Sequence, residues 1–175
     1  MKRRAYTQRR RAELQEATRL RIVEATVELH RRVGPVATTM SAVAEGAGVQ
    51  RHTVYRHFPN EEALFRACAG HFLATNPPPD PAAWKSAGQG LVELYRYYET
   101  HEQMIASVLR DSTVMPVGRG FKALQVAAIA ALSPMGTGRD YIAMLRLATD
   151  FRAWQALGLR SAPAATLMAR LLECG

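Results

Sequence analysis

Residues 41–58 read SAVAEGAGVQRHTVYRHF. The first half is small and apolar at helical spacing, with Val43, Ala44 and Ala47 on one face. Gly48 interrupts that face, because a glycine takes the left-handed backbone that turns a chain within a few residues. Beyond it the polarity inverts. Arg51, His52, Arg56 and His57 crowd one short element, while Val54 and Phe58 keep an apolar inner face. At about 100° per residue, His52 and Arg56 point away from that face and Tyr55 flanks them. The stretch therefore predicts two short helices joined by a tight turn, the second apolar inward and basic outward.

The flanks extend this pattern. Thr38-Thr39 offers a hydroxyl cap for the helix that begins near Met40. Upstream, Ile22, Ala25, Leu29 and Val33 recur at spacings of three and four, which predicts a first helix from Thr18 to Val33. Gly34-Pro35 ends it. Downstream, Pro59 punctuates the chain and Asn60 can cap a fourth helix through about Ala74, with Ala63, Leu64, Ala67 and Phe72 inward. The run TNPPPDP at 75–81 is a linker by composition, since three consecutive prolines cannot continue a helix. The expected organisation is a basic arm over 1–17, a helical domain over 18–75 and a second domain over 76–175. In the second domain, helices are expected near 81–100, 102–111, 117–132, 138–158 and 163–173. No stretch alternates with β-branched enrichment, so the expected class is all-α.

Composition narrows the partners. The 175 residues carry a net charge of +8, with a pI near 10.1. That balance favours polyanions, nucleic acid first and acidic membrane surfaces second. Residues 1–75 hold 13 basic against 7 acidic side chains, and residues 76–175 hold 10 against 8, so the excess is N-terminal. Six of the charges (Lys2, Arg3, Arg4, Arg9, Arg10 and Arg11) fall in the first eleven residues. Such a run is either a solvated tail or an arm that touches phosphates. The two cysteines, Cys68 and Cys174, are too far apart in sequence to make a metal motif or a disulfide framework, and a reducing compartment suits them. Cys68 reads as a small buried side chain. His30, His71 and His101 are scattered, so no metal is expected. The longest apolar run, VAAIAAL at 126–132, is far short of a membrane span, and no apolar signal core follows the basic start. No membrane partner is expected, and the expected localisation is cytoplasmic.

Two helices joined by a glycine turn, with a basic outer face on the second, make the helix-turn-helix geometry, sized for the DNA major groove. Arg51 suits a forked contact to guanine O6 and N7. Tyr55 and His57 suit single hydrogen bonds to phosphates, which set the register.

At these residues the chain also resembles the tetracycline-repressor (TetR) family of bacterial transcription regulators. The likeness runs from about Ile22 to Phe65 through Ile22-x-x-Ala25, Leu29, Gly34, Thr39, Val43-Ala44, Ala47-Gly48-Val49, Thr53-Val54-Tyr55-x-His57-Phe58 and Ala63-Leu64. It implies a homodimer on double-stranded operator DNA, with a variable C-terminal domain that binds a small effector. By position, Arg51, His52, Thr53 and Tyr55 match recognition-helix residues, and Thr39 and His57 match phosphate contacts. Gln50 stands where a small capping residue is common; it caps poorly but can itself reach a base, and Arg56 joins the candidate DNA-binding set. Pro35 stands where an aromatic is common. Glu61 and Glu62 stand where the family often places a phosphate-binding lysine, a deficit the N-terminal arginines are placed to offset along the backbone or in the minor groove.

In the second domain the large side chains available to line an effector cavity are Trp84, Tyr95, Tyr98, Met104, Phe121, Met144, Phe151 and Trp154, which favours a small hydrophobic or aromatic effector. Ala164, Leu167, Met168, Leu171 and Leu172 stripe the last helix. With Ile142, Leu145 and Leu157 of the preceding one, the Leu167, Met168 and Leu171 positions are the candidate dimer interface. No nucleophile–base pair, paired-carboxylate motif or phosphate loop is present, so neither an enzyme nor a cofactor is expected. The leading reading is a ligand-responsive transcriptional repressor. The alternative is an effector-free accessory or architectural DNA-binding protein.

Overall fold

The computed structural model of the chain describes residues 2–115, 117–136 and 139–174. The side chains of Lys2, Arg3, Arg4 and Cys174 lie outside the described residues. The elements are α1 (Lys2–Arg32), α2 (Met40–Gly46), α3 (Arg51–His57), α4 (Glu61–Thr75), α5 (Ala87–Thr100), α6 (Glu102–Asp111), α7 (Arg119–Leu132), α8 (Arg139–Ala148), α9 (Phe151–Leu157) and α10 (Ser161–Cys174). The fold is all-α, with no strand among the described residues. The chain divides into two compact units; the first runs to Pro77 and takes in Thr113–Met115, and the second holds the remainder from Pro78. No helix among the described residues is long and apolar enough to cross a membrane.

The first unit is built on α1. The expected start at Thr18, after a separate arm, is corrected: one helix begins at Lys2. Residues 2–17 contain no glycine or proline and are rich in Arg, Gln, Glu and Ala, all good helix formers. Arg9 and Glu13 close an i,i+4 ion pair at 2.9 Å. The Thr18 hydroxyl, read as lying at a helix start, instead donates to the Leu14 carbonyl oxygen at 2.8 Å, a back-bond made inside a continuing helix. The buried face of α1 runs through Ile22, Val23, Thr26 and His30, whereas Val33 is exposed.

The turn follows the sequence expectation. The Thr39 hydroxyl accepts from the Ala42 N–H at 3.1 Å and caps α2. Gly48 adopts φ +63°, and the Gly48 and Val49 N–H groups donate back to the Glu45 and Ala44 carbonyls. An added Cβ would meet nothing within 4 Å, so backbone strain, not crowding, is what selects glycine there. Gln50 precedes α3 without a side-chain cap, and the Asn60 carboxamide oxygen accepts from the Ala63 N–H at 2.8 Å to cap α4. Ile22, Val43, Val54, Phe58 and Leu64 fill the core between these helices. Cys68 joins His30 in the interior, its Sγ 3.5 Å from Nδ1, and burial pushes its thiol up to about 12. That is a packing cysteine, not a reactive one.

The second unit packs α10 along α5, with α7 and α8 completing the layer. Two expected helices are corrected. The helix expected over 81–100 is a 3₁₀ turn at Pro81–Ala83 followed by α5, which Ser86 caps by accepting from the Gln89 N–H. Gly90 in α5 lets the Trp84 ring close on the backbone; a Cβ there would meet that ring at 2.6 Å. The helix expected over 138–158 is broken between α8 and α9. Asp150 caps α9 through the Ala153 N–H at 2.9 Å. The break leaves carbonyls for two buried hydroxyls: Tyr95 donates to the Ala148 oxygen at 2.6 Å and Tyr98 to the Thr149 oxygen at 2.7 Å. Burial raises both phenols well above their usual range, so they remain donors at any working pH.

Candidate functional site

Helix α3 owes its orientation to two apolar anchors, Val54 and Phe58, 0% and 2% exposed. With those inward, Gln50, Arg51, His52, Tyr55 and Arg56 are exposed, while Thr53 and His57 are half-buried. Thr39 is exposed at the start of α2. The eight residues therefore form a polar surface of neutral or positive groups, the composition that phosphates and base edges require. Arg51 does not point freely outward. Its Nη2 donates to the Tyr55 hydroxyl at 3.3 Å, and its guanidinium lies 5.6 Å from the centre of the Tyr55 ring. One helical turn thus holds the arginine in a defined pose, at lower entropic cost than a free side chain.

A groove of about 390 Å³ lies between α1 and α3, lined by Ala12, Gln15, Glu16 and Arg19 from the first and Arg56 and His57 from the second. Arg19 is set there by the Phe58 ring, 5.0 Å below its guanidinium, and lies 3.8 Å from Glu16. His57 Nε2 is buried with no hydrogen-bond partner among the described residues. The phosphate contact expected of this ring would therefore need Nδ1 or a rotated ring. Burial, then the charges of Arg56 and Arg19, hold the imidazole below its ordinary range, with Glu16 opposing. Arg19 is the residue that sequence reasoning missed. The signal was the four-residue spacing of Arg11, Gln15 and Arg19, which shares a face only if α1 continues through Thr18. Glu61 and Glu62 are exposed on the first turn of α4, and Glu62 pairs with Arg66 at 2.8 Å.

The second unit contains a cleft of about 270 Å³ with a floor of Tyr98, Ile105, Leu109, Phe121 and Phe151. Of the eight side chains expected in a cavity, Tyr98, Phe121 and Phe151 line it. Trp84, Tyr95, Met104 and Trp154 are buried and Met144 is half-buried, and none of these five lines the cleft. Trp154 packs on the lining rings instead, its centroid 5.8 Å from Tyr98 and 5.6 Å from Phe151.

The stripe on α10 splits in two. Ala164, Ala165, Met168 and Leu172 are buried within the unit, while Leu167 and Leu171 are 41% and 46% exposed. On α8 and α9, Leu145 is fully buried, Ile142 and Leu157 are half-buried, and Leu147 is exposed. Of the residues expected at a dimer interface, Leu167 and Leu171 on α10 are thus the two that remain exposed.

No group of three or more His, Cys, Asp or Glu residues able to hold a metal occurs among the described residues. Residues 22–68 match the family model described as bacterial regulatory proteins, tetR family. No curated protein matches the chain.

Proposed function

We propose that this chain, a DNA-binding regulator of the tetR family, is a repressor that binds a palindromic operator as a homodimer and releases it when a small molecule fills the cleft of the second unit. The observation that carries the DNA half is the outer face of α3. Arg51, His52, Tyr55 and Arg56 are exposed on a helix whose inner face is locked by Val54 and Phe58. Arg51 is the base reader, steadied by Tyr55. Thr39, Tyr55 and His57 meet phosphates, with Arg56 and Arg19 adding positive charge to the groove beside them. The dimer half is supported by the uncovered leucines of α10: two half-sites a helical turn or more apart need two recognition helices related by a two-fold axis. The effector half is supported by a cleft with an aromatic floor.

Selection of bound fragments from a random-sequence DNA pool tests the reading. The expected outcome is an inverted repeat bound by two chains, with preference at one position per half-site abolished in Arg51→Ala. Binding without any sequence preference would favour the effector-free architectural alternative.

A further inference from the structure

We infer that the cleft of the second unit takes a small aromatic carboxylate, its ring on the apolar floor and its carboxylate on Lys122 and Arg152; this rests on the effector reading above. The floor is described above, and the polar rim is Ser112, Lys122, Gln125, Asp150 and Arg152. A volume of about 270 Å³ lies just below the roughly 300–1,000 Å³ of drug-sized sites, so one ring with a short tether fits it.

The charge of the rim decides the class. The Lys122 ammonium has no hydrogen-bond or ion-pair partner among the described residues, and no carboxylate pairs with Arg152 there. Arg152 Nη2 makes only a long hydrogen bond, 3.4 Å, to the Leu109 carbonyl oxygen, between two residues that both line the cleft. The one acidic group, Asp150, is committed: its Oδ1 accepts the Ala153 N–H at 2.9 Å and caps α9. The Tyr98 hydroxyl is spent on the Thr149 carbonyl. Two cations, neither paired with a carboxylate among the described residues, therefore share the rim with one helix-capping carboxylate, a net charge of +1 over an aromatic surface. A ligand that covers those cations must compensate their forfeited hydration, which a carboxylate does with charge-assisted and, at arginine, forked hydrogen bonds.

The test is calorimetry on the full chain with three probes of one shape: 3-phenylpropionate, 3-phenylpropionamide and 3-phenylpropylamine. The acid should bind at least about tenfold more tightly than the amide, the low end for one hydrogen bond to a charged group. Lys122→Gln and Arg152→Gln should each remove most of that preference, weakening the acid far more than the amide; both side chains are exposed, so the fold is retained, which circular dichroism checks. Equal binding of acid and amide, tightest binding of the amine, no binding of any probe, or an acid preference that survives both variants overturns the inference. The same probes are then added to the protein on its selected DNA. Release by the amide as readily as by the acid removes the charge inference and leaves ligand-responsive regulation standing. Preferential acid binding without release keeps the inference and removes the effector reading.

Discussion

Leu167→Glu together with Leu171→Glu should convert a dimer into a folded monomer. In the single chain these leucines are 41% and 46% exposed, so charges placed there face water. Such surface substitutions usually change stability by less than about 0.5 kcal/mol. In a two-fold seam the same positions are covered. Full burial of a leucine is worth roughly 2 kcal/mol, so covering the remaining exposed part is worth about 1 kcal/mol each, or about 4 kcal/mol for the four leucines of a symmetric pair. At about 1.4 kcal/mol per tenfold, the dimer should weaken on the order of a thousandfold before the repulsion of four clustered glutamates is added. Sedimentation at micromolar concentration should show a monomer, circular dichroism an unchanged helix content, and operator affinity should fall with the dimer. Met168→Glu is the contrast: that side chain is buried against the chain's own core, and its substitution should unfold the second unit. A double variant that stays dimeric moves the interface off this face. One that unfolds refutes the assignment of Leu167 and Leu171 to the monomer surface.

Arg51→Ala should cost on the order of 1–3 kcal/mol and relax preference at one base pair, whereas His57→Ala should weaken binding to all sequences alike; Tyr55→Phe, which also removes the hydroxyl that steadies Arg51, should weaken binding generally and partly relax the Arg51 preference. An unchanged preference profile across single-base operator variants in Arg51→Ala would remove it as a reader. Deleting residues 2–11 should flatten the salt dependence of binding by roughly 0.9 in log–log slope for each phosphate that the shortened helix no longer neutralises; an unchanged slope would make this end of α1 a solvated helix only. His57 is held below the ordinary histidine range, first by burial and then by Arg56 and Arg19, so the unfolded chain takes up its proton first as pH falls. The stability is complete above the ordinary histidine pKa and is lost as pH falls from there through the folded value. The melting temperature should therefore drop between about pH 7 and pH 5, and His57→Gln should reduce the drop, with His101, also depressed by burial, supplying part of the remainder. An identical drop in the variant would refute the assignment to His57.

The helix-turn-helix was legible because everything that specifies it is local. Thr39 and Asn60 cap their own helices, Gly48 supplies the left-handed residue, and Val54 and Phe58 lie four apart on one inner face. Each of these is set by chain neighbours within a turn or two, so the sequence by itself determined the all-α class, the turn and the outward face of α3. Thr18 was not legible, since a hydroxyl that caps a helix and one that back-bonds inside it are the same residue until the preceding turn is known to be helical. The division of α8 from α9 is further from the sequence still: the carbonyls at Ala148 and Thr149 find hydrogen-bond donors in Tyr95 and Tyr98, more than fifty residues earlier. Helical periodicity likewise draws one continuous apolar arc on α10 from Leu167 to Ala165, but it carries no information about how wide a neighbour lies across it. Packing within the second unit covers Ala164, Ala165, Met168 and Leu172 and stops short of Leu167 and Leu171. Only the tertiary structure decided which part of that arc is core and which remains surface, because burial belongs to the pair of helices that pack together and not to the stripe on either one.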